Sequence, residues 1–254
     1  MDSESVPPQP VVPLPKRGSR RQRLTVLVVA LLLVWGVAAY LAMPLLWERY
    51  VRRHPSLDDI PNITHTKAGI PGDPLNVALI GTEDDVRRIM QAAQWYAADP
   101  LGLRSDLEIA ADTVLERPDD RAPVSNLYLF DRKEDLAFEQ PVGDNPRKRH
   151  HVRFWRTEKT DPDGRPVWVG SATYDERVGL SHTTGQITHH IDADVDAERD
   201  HLFSTLEQTG DLSEVYVVDD FHKILNGRNG GGDPWHTDGN LFVGVIRSGK
   251  TSQE

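Results

Sequence analysis

The 254-residue sequence contains no cysteine. That absence excludes a disulfide framework, Cys-ligated zinc, an iron–sulfur cluster and thiol catalysis. It leaves the compartment open, because a large exported domain folds without disulfides. Positive charge is scarce: 29 Lys/Arg stand against 39 Asp/Glu, a formal net charge of −10. The deficit is uneven. Residues 1–54 hold eight Lys/Arg and three Asp/Glu, a net of +5, and residues 55–254 hold 21 and 36, a net of −15; the two sum to −10. A part this acidic lacks the basic face that a phosphate backbone requires, so no nucleic-acid partner is expected. Internal repeats are not visible at any obvious period.

What is present divides the chain into unlike parts. Residues 1–23 are proline-rich and then basic, too polar to bury a core, and are expected to be disordered. From Leu24 to Leu46 no residue is charged. Twenty-three residues at about 1.5 Å each give roughly 35 Å of helix, enough to cross a hydrocarbon layer of about 30 Å. The spacing therefore predicts a transmembrane helix over 24–47, with Pro44 in its last turn and Trp47 and Tyr50 at the interface. A cleaved signal peptide would have a shorter apolar run and a small-residue exit. Five basic residues precede the span and Arg49, Arg52 and Arg53 follow it, which favours a cytoplasmic N-terminus and an extracytoplasmic C-terminal domain.

Residues 48–63 are expected as an extended connector, 64–248 as one compact domain and 249–254 as a disordered tail. Within the domain, period-2 runs predict strands over 76–80, 126–130, 136–140, 151–158, 167–174, 186–191, 214–218 and 241–246. Helices are expected over 82–96, capped by Thr82, over 106–117 from a Ser105–Glu108 capping box, and over 196–208, stopped by Gly210. Asp161-Pro162-Asp163-Gly164 predicts a hairpin turn. Helices are frequent early and strands dominate later. This order suggests an α+β domain with a mostly antiparallel or mixed sheet and about three helices, preceded by one transmembrane helix.

Four stretches then carry a resemblance: GDPLNVALIGTEDD (72–85), APVSNLYLFDRKEDLAFEQPVGDNPRKRHHVRFWR (122–156), VWVGSATYDERVGLSHTTGQITHHIDADVDAERD (167–200) and GRNGGGDPWHTDG (227–239). Together they resemble the LssY-like C-terminal domain family over about 64–246, here in a single-pass, membrane-anchored form. The resemblance implies a bacterial membrane protein. Some members place this domain after a multi-span domain of the phosphatidic-acid-phosphatase type. The motifs of that phosphatase are not found in this sequence, so its activity does not transfer, and the family brings no established activity of its own.

The densest polar block runs from Thr188 to His201. His189, His190 and Asp192 are candidate ligands for a divalent metal, because imidazole and carboxylate suit zinc or manganese. A calcium loop counted from Asp192 fails at Ala197 and Phe203, where Gly and Glu are needed. The bland alternative is that the acids cap a helix, and that His189 and His190, adjacent on a strand, face opposite sides. His151, His190 and Asp192 are candidate catalytic groups for a metal-dependent hydrolase. Arg147, Lys148, Arg149 and Arg153, with Trp155, are candidates for holding a phosphate or lipid headgroup. Alternation puts His151, Arg153 and Trp155 on one face, and a half-exposed face would present them to a ligand. Ser171, Thr173, Asp175 and His182 invite a serine-hydrolase reading, but no G-x-S-x-G elbow is present. The glycine-rich 227–233 lacks a P-loop ending and reads as a hairpin loop.

Three functional classes follow. The leading one is a binding or accessory domain anchored at the cell envelope, with the membrane and an envelope protein or lipid as partners. The alternatives are a metal-dependent hydrolase and a phosphate or lipid-headgroup binder.

Overall fold

The computed structural model describes residues 20–67, 69–98, 127–143, 148–182 and 187–249. The helix expected over 106–117, the tail 1–19 and Arg147 lie outside them. The chain divides into two compact units, Met1–Val51 and Arg52–Glu254.

In the first unit, α1 (Arg20–Val37) passes through a π-helical turn (Ala38–Ala42) into α2 (Met43–Arg53). Arg20–Tyr50 reaches a mean hydropathy of 2.6, and none of that stretch is buried. Between Leu24 and Leu46 no side chain is charged, so this part has no charged side to turn to water. Pro44 lies inside this helix rather than in its last turn. Proline has no N–H, and its ring crowds the carbonyl four residues back. The π turn relieves this crowding by bonding Met43 N–H to Ala38 O, five residues back. Trp47 and Tyr50 stack, with ring centroids 5.7 Å apart.

The second unit contains β1 (Ile63–His65), β2 (Pro71–Pro74), β3 (Val77–Ile80), α3 (Glu83–Ala92), β4 (Tyr96–Ala97), β5 (Tyr128–Leu129), β6 (Arg132–Lys133), β7 (Leu136–Pro141), β8 (Arg149–Thr160), β9 (Pro166–Leu180), β10 (Ile187–Ile191), α4 (Val195–Gln208), β11 (Leu212–Val218), β12 (Asn226–Arg228), β13 (Pro234–His236) and β14 (Leu241–Ile246). The main sheet has the order β11-β14-β3-β9-β8-β7-β4, with β10 pairing the end of β9. Its β14–β3 pair is parallel and the other described pairs are antiparallel. A smaller sheet, β2-β1-β5-β6, and the β12–β13 hairpin complete an α+β domain.

Local chemistry explains the element ends. Asp85 N–H donates to Thr82 Oγ1 and Thr82 N–H donates to Asp85 Oδ2, a reciprocal cap for α3. The helix stops before 96 because Gln94 takes φ +64°, which returns the chain to the sheet as Trp95 and β4. At the β8–β9 turn, Asp161 Oδ1 accepts from Asp163 N–H and Arg165 N–H, and Gly164 adopts φ +75°, a conformation glycine takes at little cost.

The main sheet is buried on both faces. On one, Val86, Ile89 and Met90 of α3 and Leu202, Phe203 and Leu206 of α4 pack on Val77, Leu79, Val152, Phe154 and Trp168. On the other, Leu127 and Leu129 of the small-sheet side, with Leu57 and Ile60, cover Ala78, Ile80, Trp155, Val167, Val169, Leu241 and Val243. The stretch expected as an extended connector is therefore helical up to Arg53 and contributes Leu57 and Ile60 to this second core.

Candidate functional site

The site grows out of one strand register. β8 and β9 pair with Arg149 opposite Asp175, His151 opposite Thr173 and Arg153 opposite Ser171. Side chains alternate along a strand, so these six polar groups share the face that carries Trp155, Val167 and Val169. That face is not half-exposed as alternation alone suggested: Arg153 is 6% and His151 8% exposed. Trp155 is fully buried in the second core and its Nε1–H donates to Arg132 O, which gives it a packing role.

His151, Arg153, Thr173, Asp175 and His189 line a cavity of about 40 Å³, closed by Asp73 of β2 and by Asn229. That volume takes a few waters or a small ion. His189 is engaged at both ring nitrogens: Nδ1 lies 3.1 Å from Asp175 Oδ2, and Nε2 lies 3.4 Å from the Arg149 guanidinium. Arg149 also pairs with Glu139 at 2.7 Å and approaches Asp175 at 3.5 Å. Burial opposes a charged Asp175, but the contact with His189 and the neighbouring Arg149 outweigh it and hold the carboxyl below its ordinary value. Burial pushes His151 down to about 3, and Arg153 adds to the fall, so this imidazole is neutral at ordinary pH. Burial raises Asp73 against the opposing pull of Arg153. Ser171 Oγ is buried and makes no hydrogen bond among the described residues, so no nucleophile–base pair forms at it.

His190 turns away from His189. Its Nδ1 lies 2.6 Å from Asp233 Oδ1, in the turn of the glycine-rich hairpin. Asp192 belongs to neither group: its Oδ1 accepts from Asp194 N–H in the turn that starts α4. The three residues with expected metal or catalytic roles on β10 thus serve three different partners.

On the opposite face of the same strands lies a second polar cluster. His150 Nδ1 is 2.7 Å from Glu198 Oε2, and His150 stacks on His201 with centroids 3.8 Å apart. His201 Nε2 meets Gln140 Oε1 at 2.8 Å. Burial lowers both histidines. Burial raises Glu198 to about 9, with Asp175 and Asp192 adding to the rise. Glu198 looks in the sequence like one more acid in a first helical turn; only the packing of α4 against β8 reveals it as buried and protonated.

A pH dependence follows with a definite sign. The folded chain keeps a proton on Glu198 that the unfolded chain has lost above 4.5. Stability from this group is thus complete below about 4.5 and declines as pH rises toward about 9. Glu198→Gln is expected to flatten that decline. Relative to the parent, the variant should gain stability between about pH 5 and about pH 8, by up to about 1.4 kcal/mol per pH unit. Calorimetry of both chains at the two pH values checks it; parallel slopes would remove Glu198 as the cause.

Compared with known proteins, residues 57–241 match the family model described as LssY C-terminus. No curated protein and no solved structure matches the chain.

Proposed function

Since the chain belongs to the LssY C-terminus family, we propose that it is a single-pass membrane protein holding this domain on the extracytoplasmic side of a bacterial membrane, in a binding or accessory role at the cell envelope. The observation that carries this reading is the N-terminal helix, free of charge over Leu24–Leu46 with none of its most apolar stretch buried. Such a surface is stable in lipid and costly in water. The excess of basic residues before the span supports the orientation.

Binding is favoured over hydrolysis because the candidate catalytic groups are dispersed. His151 faces the cavity, His190 faces Asp233 and Asp192 closes a turn. The headgroup alternative needs Arg149 and Arg153, yet Arg149 is paired with Glu139 and Arg153 is enclosed beside Asp73.

The absence of cysteine supplies a clean topology test, since Ser3→Cys and Ser252→Cys each introduce one thiol into a thiol-free chain. On intact cells a membrane-impermeant maleimide is expected to label Ser252→Cys and spare Ser3→Cys, and the chain should stay in membranes through alkaline carbonate. The reverse labelling overturns the orientation. Release of a shortened soluble chain overturns the anchor in favour of a cleaved signal sequence. Turnover of p-nitrophenyl phosphate or acetate by the purified full chain, lost in His190→Gln, would replace the binding role by the hydrolase.

A further inference from the structure

We infer that His182, His190 and Asp233 form a binding site for a zinc-class divalent metal ion, where the β9–β10 turn meets the glycine-rich hairpin. One ligand atom from each of the three lies within 4.8 Å of the others. A tetrahedral ion with bonds of about 2.0–2.2 Å holds its ligands about 3.4 Å apart, so only a small adjustment of the three side chains is needed.

The second observation is independent of that distance. His190 is 2% and Asp233 4% exposed, and among the described residues His190 Nε2 and Asp233 Oδ2 are buried without a hydrogen-bond partner. A buried polar atom left unsatisfied costs about 1–3 kcal/mol, and native folds rarely retain such atoms without a reason. Asp233 Oδ1 and His190 Nδ1 lie 2.6 Å apart, so an ion that takes both as ligands replaces this contact and parts them to about 3.4 Å. Such an ion places a positive charge beside the buried Asp233 carboxyl.

The backbone around the site is pre-organised. Asn229 Oδ1 accepts from both Gly231 N–H and Asp233 N–H, and Asn229 N–H donates to Asp233 O. Gly232 takes φ +88° to allow that turn. His182 N–H donates to Gly231 O at 2.8 Å, which fastens the third ligand's backbone to the same loop. The ring of His182 lies 5.3 Å from that of His190, centroid to centroid.

Two imidazoles and one carboxylate select against calcium and magnesium, which prefer all-oxygen sites, and suit zinc or its neighbours. Three protein ligands leave a fourth position open to water or to a ligand. None of the three side chains lines the cavity with His151 and Arg153, so the inference stands whether or not that cavity is occupied.

The test uses the full chain in detergent, stripped with EDTA and titrated with zinc chloride. The expected result is one zinc per chain, a rise in Tm on binding, and at least a tenfold loss of affinity in Asp233→Asn and His182→Gln. His182 is exposed, so its substitution leaves the core intact, and an unchanged metal-free Tm confirms this. Cobalt loading supplies a second readout, an intense visible spectrum of tetrahedral type in the parent that His182→Gln weakens. Absence of stoichiometric zinc, or equal zinc affinity in the parent and His182→Gln, would overturn the site and leave an Asp–His hydrogen-bond pair.

Discussion

Asp175→Ala is expected to lower the melting temperature of the C-terminal domain by about 10 °C, the largest effect of any single substitution at the cavity. Asp175 is 2% exposed, and its Oδ2 lies 3.1 Å from His189 Nδ1 and 3.5 Å from Arg149 Nε. Without it, the Nδ1 side of His189 faces an apolar methyl, and the Arg149 guanidinium keeps Glu139 as its acidic partner among the described residues. Breaking a buried pair by removing one partner costs about 3–5 kcal/mol, and a domain of this size loses about 2–4 °C per kcal/mol. Differential scanning calorimetry of the full chain in detergent reads it. Pairing the change with Arg149→Met sharpens the test. If Asp175 stabilises by neutralising Arg149, the double variant melts above the sum of the two single losses. Strict additivity, or a loss below about 1 kcal/mol, would reduce Asp175 to an incidental buried acid.

Asn76→Ala is expected to cost about as much, for a reason that involves no charge. Asn76 is 1% exposed and stands just before β3, where the ladder to β9 ends with Val77 opposite Gly170. Its side chain continues that ladder. Nδ2–H donates to Ala172 O at 3.0 Å and to Val195 O at 2.8 Å, and Oδ1 accepts from Ala172 N–H at 2.8 Å. One amide thus ties β9 to the first residue of α4. Alanine leaves the buried Ala172 N–H and carbonyl without their partner, at about 1–3 kcal/mol for each group, and takes from Val195 O a second bond beyond its helical one. The predicted loss is about 4 kcal/mol, seen as a lower urea midpoint at an unchanged m-value. Asn76→Asp retains the acceptor but replaces the two N–H donors by one oxygen that repels both carbonyls, so it should also destabilise, and more strongly above the carboxyl pKa than below it. Near-parent stability in Asn76→Ala would mean that water replaces all three bonds.

The two predictions bear on function through position. Asp175 sets the orientation of His189, and Asn76 fixes the start of α4, which carries Glu198 against His150. A weakened Asn76 is therefore expected to disturb the face opposite the cavity, although it touches neither cluster.

Much of the architecture is written in local pattern. The all-apolar run near the N-terminus, Thr82 before three acids, the Asp-Pro-Asp-Gly turn and the alternation of Val152 and Phe154 with His151 and Arg153 each follow from a few adjacent residues. Propensity, capping and strand period act over that range, so the α+β class and most element positions were readable. The length of the N-terminal helix was not. The end of the uncharged run and Pro44 suggested a stop, but a π turn absorbs the proline and the helix continues to Arg53.

The candidate sites were legible only as residue types. His189, His190 and Asp192 are neighbours in sequence and read as one cluster, yet strand alternation and a bulge between His190 and Ile191 send them to separate partners. His182 and Asp233 looked unrelated, because nothing local joins the end of β9 to a hairpin some fifty residues later. Asp73 carried no signal at all, since it depends on a four-residue strand folding over the main sheet.

By itself, then, the sequence determined the apolar helix, the acidic thiol-free domain and the family to which that domain belongs. These depend on composition and on short-range periodicity. Tertiary structure alone decided that His151, Arg153 and Asp175 are buried rather than displayed, and that His190 faces Asp233. Both outcomes depend on strand register and on which surface the small sheet covers. Register is selected by the burial of whole faces, a property of the assembled layers that no short stretch of residues contains.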